Sequence, residues 1–141
     1  MRMRAMYIVA RLILGGIFIW AAVNKIPEAG ALAETMARFE LLPEVLVLPF
    51  AYFLPWLELI CGLGLVLGIW VRGAAWWSAT LLVIFIIALS ANLSRGMEVD
   101  CGCFGENPAG TDGSWEALIR NVLLLMVAFF VIRTGASARR A

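Results

Sequence analysis

Four apolar stretches, each long enough to cross a bilayer, fall one after another along this chain and leave little choice of fold. Crossing a hydrocarbon core of about 30 Å takes roughly 20 helical residues at about 1.5 Å each. The apolar residues come in long blocks at about 6–26, 50–70, 74–93 and 115–132, without the alternation of a half-buried strand. Composition agrees. The chain is 63% hydrophobic and 15% charged, whereas soluble domains carry roughly a quarter charged residues. Too little charge remains to cover a water-facing exterior. The expected fold class is therefore an all-α integral membrane protein, a four-transmembrane-helix bundle. It should form a single domain over residues 1–141, with outer loops at 27–49 and 94–114. Membrane lipid is the expected surrounding, and no nucleic-acid partner is expected.

The net charge of +1 hides an asymmetry. Arg2, Arg4, Arg11, Arg72, Arg133, Arg139 and Arg140 fall at or near one face with no acid among them. Lys25, Arg38, Arg95 and Arg120 lie toward the other face, together with all 10 acids. Basic residues mark the cytoplasmic side, so both termini are expected inside and the two longer loops outside. Only an even number of spans permits that. The first block follows basic residues as a signal peptide would, but it is too long for an ordinary signal core. Ile26-Pro27-Glu28 also offers no small-residue cleavage site, so the block reads as a retained helix.

Local signals divide the chain further. Gly15-Gly16 in the first helix and Gly62, Gly64 and Gly68 in the second read as close-packing positions. Pro27 ends the first helix. Residues 29–42, with Leu32, Met36 and Phe39 at helical spacing and acids opposite, predict an amphipathic helix in the first outer loop. The second helix is expected to start near Pro49, with Pro55 near its first turn or as a kink. Trp70-Val71-Arg72-Gly73 predicts a tight inner turn, and Ser114 an N-cap for the fourth helix.

The stretch that points to chemistry is Asp100-Cys101-Gly102-Cys103-Phe104-Gly105. Two thiols one residue apart, in a loop on an oxidising face, invite a local disulfide. The ring is small, and Gly102 supplies the backbone freedom to close it. A strained, exposed disulfide is easily reduced and constrains almost no chain entropy, so it suits electron exchange better than stabilisation. Soft-metal binding by the two thiolates is the rival reading, with Cu(I) or Hg(II) the natural ions. A closed zinc site is not expected, because the chain has no histidine and only Cys61 besides this pair. Cys61 reads either as a small packing residue or as a resolving thiol that meets Cys101 or Cys103.

Glu58 is the sharper anomaly. A carboxyl within a membrane helix is costly and usually has a partner inside the protein. Asn24 and Lys25 close the first helix, Asn92 and Arg95 lie near the outer end of the third, and Arg120 and Asn121 lie early in the fourth. Polar groups thus reach the outer half of the bundle from every helix. They read either as an ion-pair network that fixes helix register or as a site that stabilises a thiolate or hydrogen-bonds a quinone head group. Glu58 is expected to pair with Lys25 or Arg120. Arg11, near the inner end of the first helix, is expected to snorkel to the cytoplasmic interface.

With these residues the chain resembles the MauE (methylamine-utilisation) branch of the DoxX-like membrane proteins. The resemblance covers most of the chain. It is carried by Gly15-Gly16, Asn24-Lys25, Pro55-Trp56-Leu57-Glu58, Gly62 and, most specifically, the Asp-Cys-Gly-Cys-Phe-Gly run followed by Arg120-Asn121. It implies a four-helix bundle in the bacterial inner membrane, linked to disulfide or sulfur redox chemistry beside a periplasmic thioredoxin-fold partner. By position it implies Cys101 and Cys103 as the redox pair, with Glu58, Lys25 and Arg120 as polar support. The expected function is a membrane thiol–disulfide oxidoreductase that exchanges this disulfide with an extracytoplasmic thioredoxin-fold or dithiol partner. Electrons would pass to quinone near Asn24, Asn92, Asn121 and Cys61, and no tightly bound cofactor is evident. Two alternatives stay open: a soft-metal or small-thiol binding or transport protein, and a non-catalytic accessory subunit of a membrane redox complex.

Overall fold

The structure is a computed structural model that describes residues 1–38, 40, 42–96 and 113–138. Its elements are α1 (Arg2–Lys25), α2 (Ala29–Arg38), α3 (Glu44–Leu67), α4 (Val71–Ser94) and α5 (Gly113–Ala138). Helices α1, α3, α4 and α5 are each long and apolar enough to cross a membrane. The chain is an all-helical, multi-pass membrane protein. A helix of 24 residues spans about 36 Å, enough for the hydrocarbon core and part of both interfaces.

Neighbouring helices pack in a ring: α1 against α3, α3 against α4, α4 against α5 and α5 against α1. Leu14, Phe18, Leu54, Leu65, Leu81, Leu82, Leu124 and Val131 fill the centre. The opposite faces expose Trp20, Ile60, Leu67, Ile87, Leu123 and Phe129. Such surfaces would be untenable in water, but in a bilayer lipid tails solvate them.

The tightest crossing joins α1 to α3. A Cβ added to Gly15 would come within 2.9 Å of the Gly62 carbonyl oxygen, and one added to Gly62 within 2.9 Å of the Gly15 oxygen. The two backbones therefore touch where neither residue has a side chain. Gly16 takes no part, as a Cβ there would meet nothing within 4 Å. Gly68 also differs from the packing role expected of it. With φ 78° it is the left-handed C-cap of α3, a conformation that costs glycine little. The Arg11 guanidinium lies against this cap, 3.1 Å from where a Cβ would stand. There it faces the partly negative C-terminal end of α3.

Helix α1 ends where the proline signal placed its end, at Lys25, with Ile26 the residue before Pro27. Helix α3 does not start near Pro49. It begins at Glu44, after Pro43, and carries both Pro49 and Pro55 inside it. The turn between α3 and α4 is also tighter than Trp70–Gly73, since Gly68 and Trp70 both take positive φ and α4 begins at Val71. Helix α5 is described from Gly113 onward, and the side chain of Ser114 lies outside what the structure describes.

The early start of α3 gives α2 a platform. Leu32 and Ala33 of α2 pack on Val47 and Ala51 of α3, with Met36 and Leu42 beside them. Glu34 and Arg38 stay exposed on the other face of α2. The amphipathic expectation holds for Leu32 and Met36, while Phe39 lies outside the described residues.

Candidate functional site

Lys25 ends α1, and Glu58 lies well inside α3, about 21 Å from the start of that helix by helical rise. They meet because α1 and α3 run antiparallel and side chains lean toward the N-terminus of their own helix. Lys25 leans down into the bundle, and Glu58 leans up toward the end where α1 stops. The Lys25 ammonium donates to both carboxylate oxygens of Glu58, at 2.8 Å and 3.1 Å. Both side chains are almost fully buried, with exposures of 2% and 3%. The Lys25 Nζ also stands 4.7 Å from the centre of the Phe85 ring of α4, a cation–π distance. A lone charge at this depth is costly, and pairing offsets part of that cost.

A cavity of about 30 Å³ adjoins the pair. Lys25, Glu58, Arg120 and Asn121 supply its polar wall, and Phe18, Leu82 and Phe85 part of its apolar wall. All four spanning helices reach it. Its volume suits a water molecule or two between several polar partners, and is far too small for an aromatic ring.

The structure thus brings Lys25, Glu58, Arg120 and Asn121 together. Other residues named from the sequence do not line this cavity. The Asn24 amide donates to the Trp20 carbonyl of its own helix, 3.0 Å away. Asn92 is buried and donates to the Ala88 carbonyl at 2.8 Å, while its Oδ1 has no partner among the described residues. Cys61 is a buried thiol one turn along α3 from Glu58, beside Ser78 of α4 and without a disulfide partner among the described residues. Cys101 and Cys103 lie outside the described residues. By connectivity, residues 97–112 leave α4 and enter α5 at the end of the bundle that holds Lys25.

Phe85 and Ser78 were not singled out from the sequence. Ser78 left a signal, as a hydroxyl residue in an apolar helix, and it proves wholly buried. Phe85 left none, being one of 8 phenylalanines in the chain.

Fold and site together define a four-span membrane protein with a buried Lys25–Glu58 ion pair near one end of its bundle. The chain matches the family model described as methylamine utilisation protein MauE over residues 3–134, and it belongs to that family. The methylamine utilization protein MauE of Methylorubrum extorquens is 39% identical over 110 residues, covering 77% of this chain and 59% of that protein. The protein of the same name from Paracoccus denitrificans is 33% identical over 129 residues, covering 91% and 68%. The chain therefore spans about three-fifths to two-thirds of the length of these curated relatives. No solved structure matches it significantly.

Proposed function

We propose that this chain is a membrane thiol–disulfide oxidoreductase that serves methylamine utilisation, the process that appears in its relatives' names. The observation behind the reading is the buried Lys25–Glu58 pair with Arg120 and Asn121, set at the end of the bundle from which the Cys-Gly-Cys segment departs. A thiolate of a reduced thioredoxin-fold or dithiol partner attacks the Cys101–Cys103 disulfide. A mixed disulfide forms and one cysteine thiolate leaves. The partner's second thiol then resolves the mixed disulfide, so the partner is oxidised and Cys101 and Cys103 become two thiols. A quinone takes the two electrons and two protons of these thiols, restores the disulfide and leaves as quinol. The cationic groups favour the thiolate over the thiol, lowering the barrier to exchange. The exchange takes place on the periplasmic face of the bacterial inner membrane, with both termini in the cytoplasm.

The test is thiol trapping. Aerobic, purified protein alkylated under denaturing conditions should leave Cys101 and Cys103 unmodified, and both should gain mass only after reduction. Two freely alkylated thiols, or a metal ion retained through dialysis, would replace this reading with soft-metal binding.

A further inference from the structure

Helix α2 rests on α3, and between α2, α3 and α4 the bundle encloses a cleft of about 310 Å³. Leu32 and Met36 of α2, Phe50 and Leu54 of α3, and Phe85 and Leu89 of α4 form much of its wall. Among the described residues Thr35 brings the only polar side chain to that wall, and its hydroxyl already donates to the Ala31 carbonyl at 3.0 Å. Neither Lys25 nor Glu58 lines the cleft. Phe50 and Ile84 do, and both are also exposed on the outside of the bundle. The cleft therefore reaches the surface that α3 and α4, both spanning helices, turn toward lipid.

Such a space is empty, wet or filled by something apolar. Left empty, its wall would forfeit dispersion contacts on every side. The cost of a void rises with its volume, and one this large would rival the whole net stability of an ordinary domain. A buried water needs several polar partners, and an apolar cavity stays dry. An apolar chain meets every part of the wall. A wall with no free polar group cannot choose by head group, so mass action gives the cleft to the apolar chain present in greatest excess. In a bilayer that is the acyl chain of a phospholipid. We infer that the α2–α3–α4 cleft holds one such chain, drawn from the leaflet at the Lys25 end and entering between Phe50 and Ile84. The chain supplies the packing between α2 and α4. It also lies behind Phe85, whose ring lines the ion-pair cavity as well, and so closes the apolar side of that cavity. The inference does not depend on the redox reading above.

The test is photolabelling of full-length protein in phosphatidylcholine nanodiscs, with a diazirine carried midway along one acyl chain of the lipid. Labelled residues are mapped by mass spectrometry. Leu54 and Leu89 are buried on the cleft wall, whereas Leu14 and Val131 are buried away from it. The first two should take at least tenfold more label than the second two, and exposed Phe129 reports ordinary lipid contact. Ala88→Phe, which fills the cleft, should bring Leu54 and Leu89 down to the level of Leu14 and leave Phe129 unchanged. Equal label on Leu54, Leu89 and Leu14 in the wild-type protein would overturn the site, whether or not the filled variant folds, because the chain would then fill its own cleft. Label on Leu54 and Leu89 that survives in monodisperse Ala88→Phe protein would overturn it as well. So would loss of that label on adding equimolar decylubiquinone, since the cleft would then prefer a quinone to abundant lipid.

Discussion

Lys25 and Glu58 are each almost completely removed from water, and each is an ion-pair partner of the other. Removing one partner of a buried pair strands the second charge, at about 3–5 kcal/mol, whereas replacing both with apolar residues is often neutral or better. Lys25→Met and Glu58→Leu should therefore each destabilise the bundle strongly, and the double variant should regain much of the loss. Unfolding titrations in mixed detergent micelles would measure the cycle, and strictly additive losses would show that the two residues do not depend on each other. Glu58→Gln separates support from chemistry, because it keeps the shape and part of the hydrogen bonding. The protein should stay monodisperse while partner oxidation slows at least about tenfold, or about 1.4 kcal/mol in barrier. Unchanged turnover would remove Glu58 from the mechanism. Charge is what made this part of the site readable from sequence: a carboxylate, a lysine and an arginine among apolar residues stand out. Asn24 and Asn92 stand out equally by type, but their amides serve the carbonyls of their own helices, a choice that composition does not reveal.

At the level of helices, the α1–α3 crossing carries the most specific demand. Gly62→Ala would place a methyl 2.7 Å from Ile19 and 2.9 Å from the Gly15 carbonyl oxygen, and backbone cannot move aside as a flexible side chain can. Overpacking of this kind typically costs about 1–3 kcal/mol. Gly16→Ala, beside open space, should be neutral or slightly stabilising, because alanine suits a helix better than glycine. The two unfolding curves should separate clearly, and coincident curves would remove the glycine contact as a determinant. In the sequence both glycines carry the same signal, since only the rotation of α1 about its axis decides which one faces α3. The start of α3 was hidden for another reason. Proline normally ends or kinks a helix, but within a membrane protein neighbouring groups can satisfy the backbone it frees. Helix α3 accordingly runs through Pro49 and Pro55 from Glu44, and that extra length is what supports α2.

For the molecule as a whole, long apolar runs and the absence of enough charge to face water made the four spans legible. The cleft beneath α2 was not legible, because it arises from which neighbour an amphipathic helix chooses, and hydropathy does not encode that choice. Orientation rests on the arginine asymmetry. A single cysteine placed at Thr111 should react with a membrane-impermeant maleimide added to spheroplasts, and one at Ser137 should be shielded. The reverse pattern would invert the topology and remove the oxidising compartment from the Cys-Gly-Cys segment. The central claim is that Cys101 and Cys103 pass electrons from a dithiol to a membrane acceptor. Its most direct test starts from purified protein reduced with dithiothreitol, freed of reductant and held anaerobically with decylubiquinone before alkylation and mass analysis. The account predicts that both cysteines become protected from alkylation together and that one quinol forms for each pair. Two cysteines that remain fully alkylated, with no quinol formed, would contradict it.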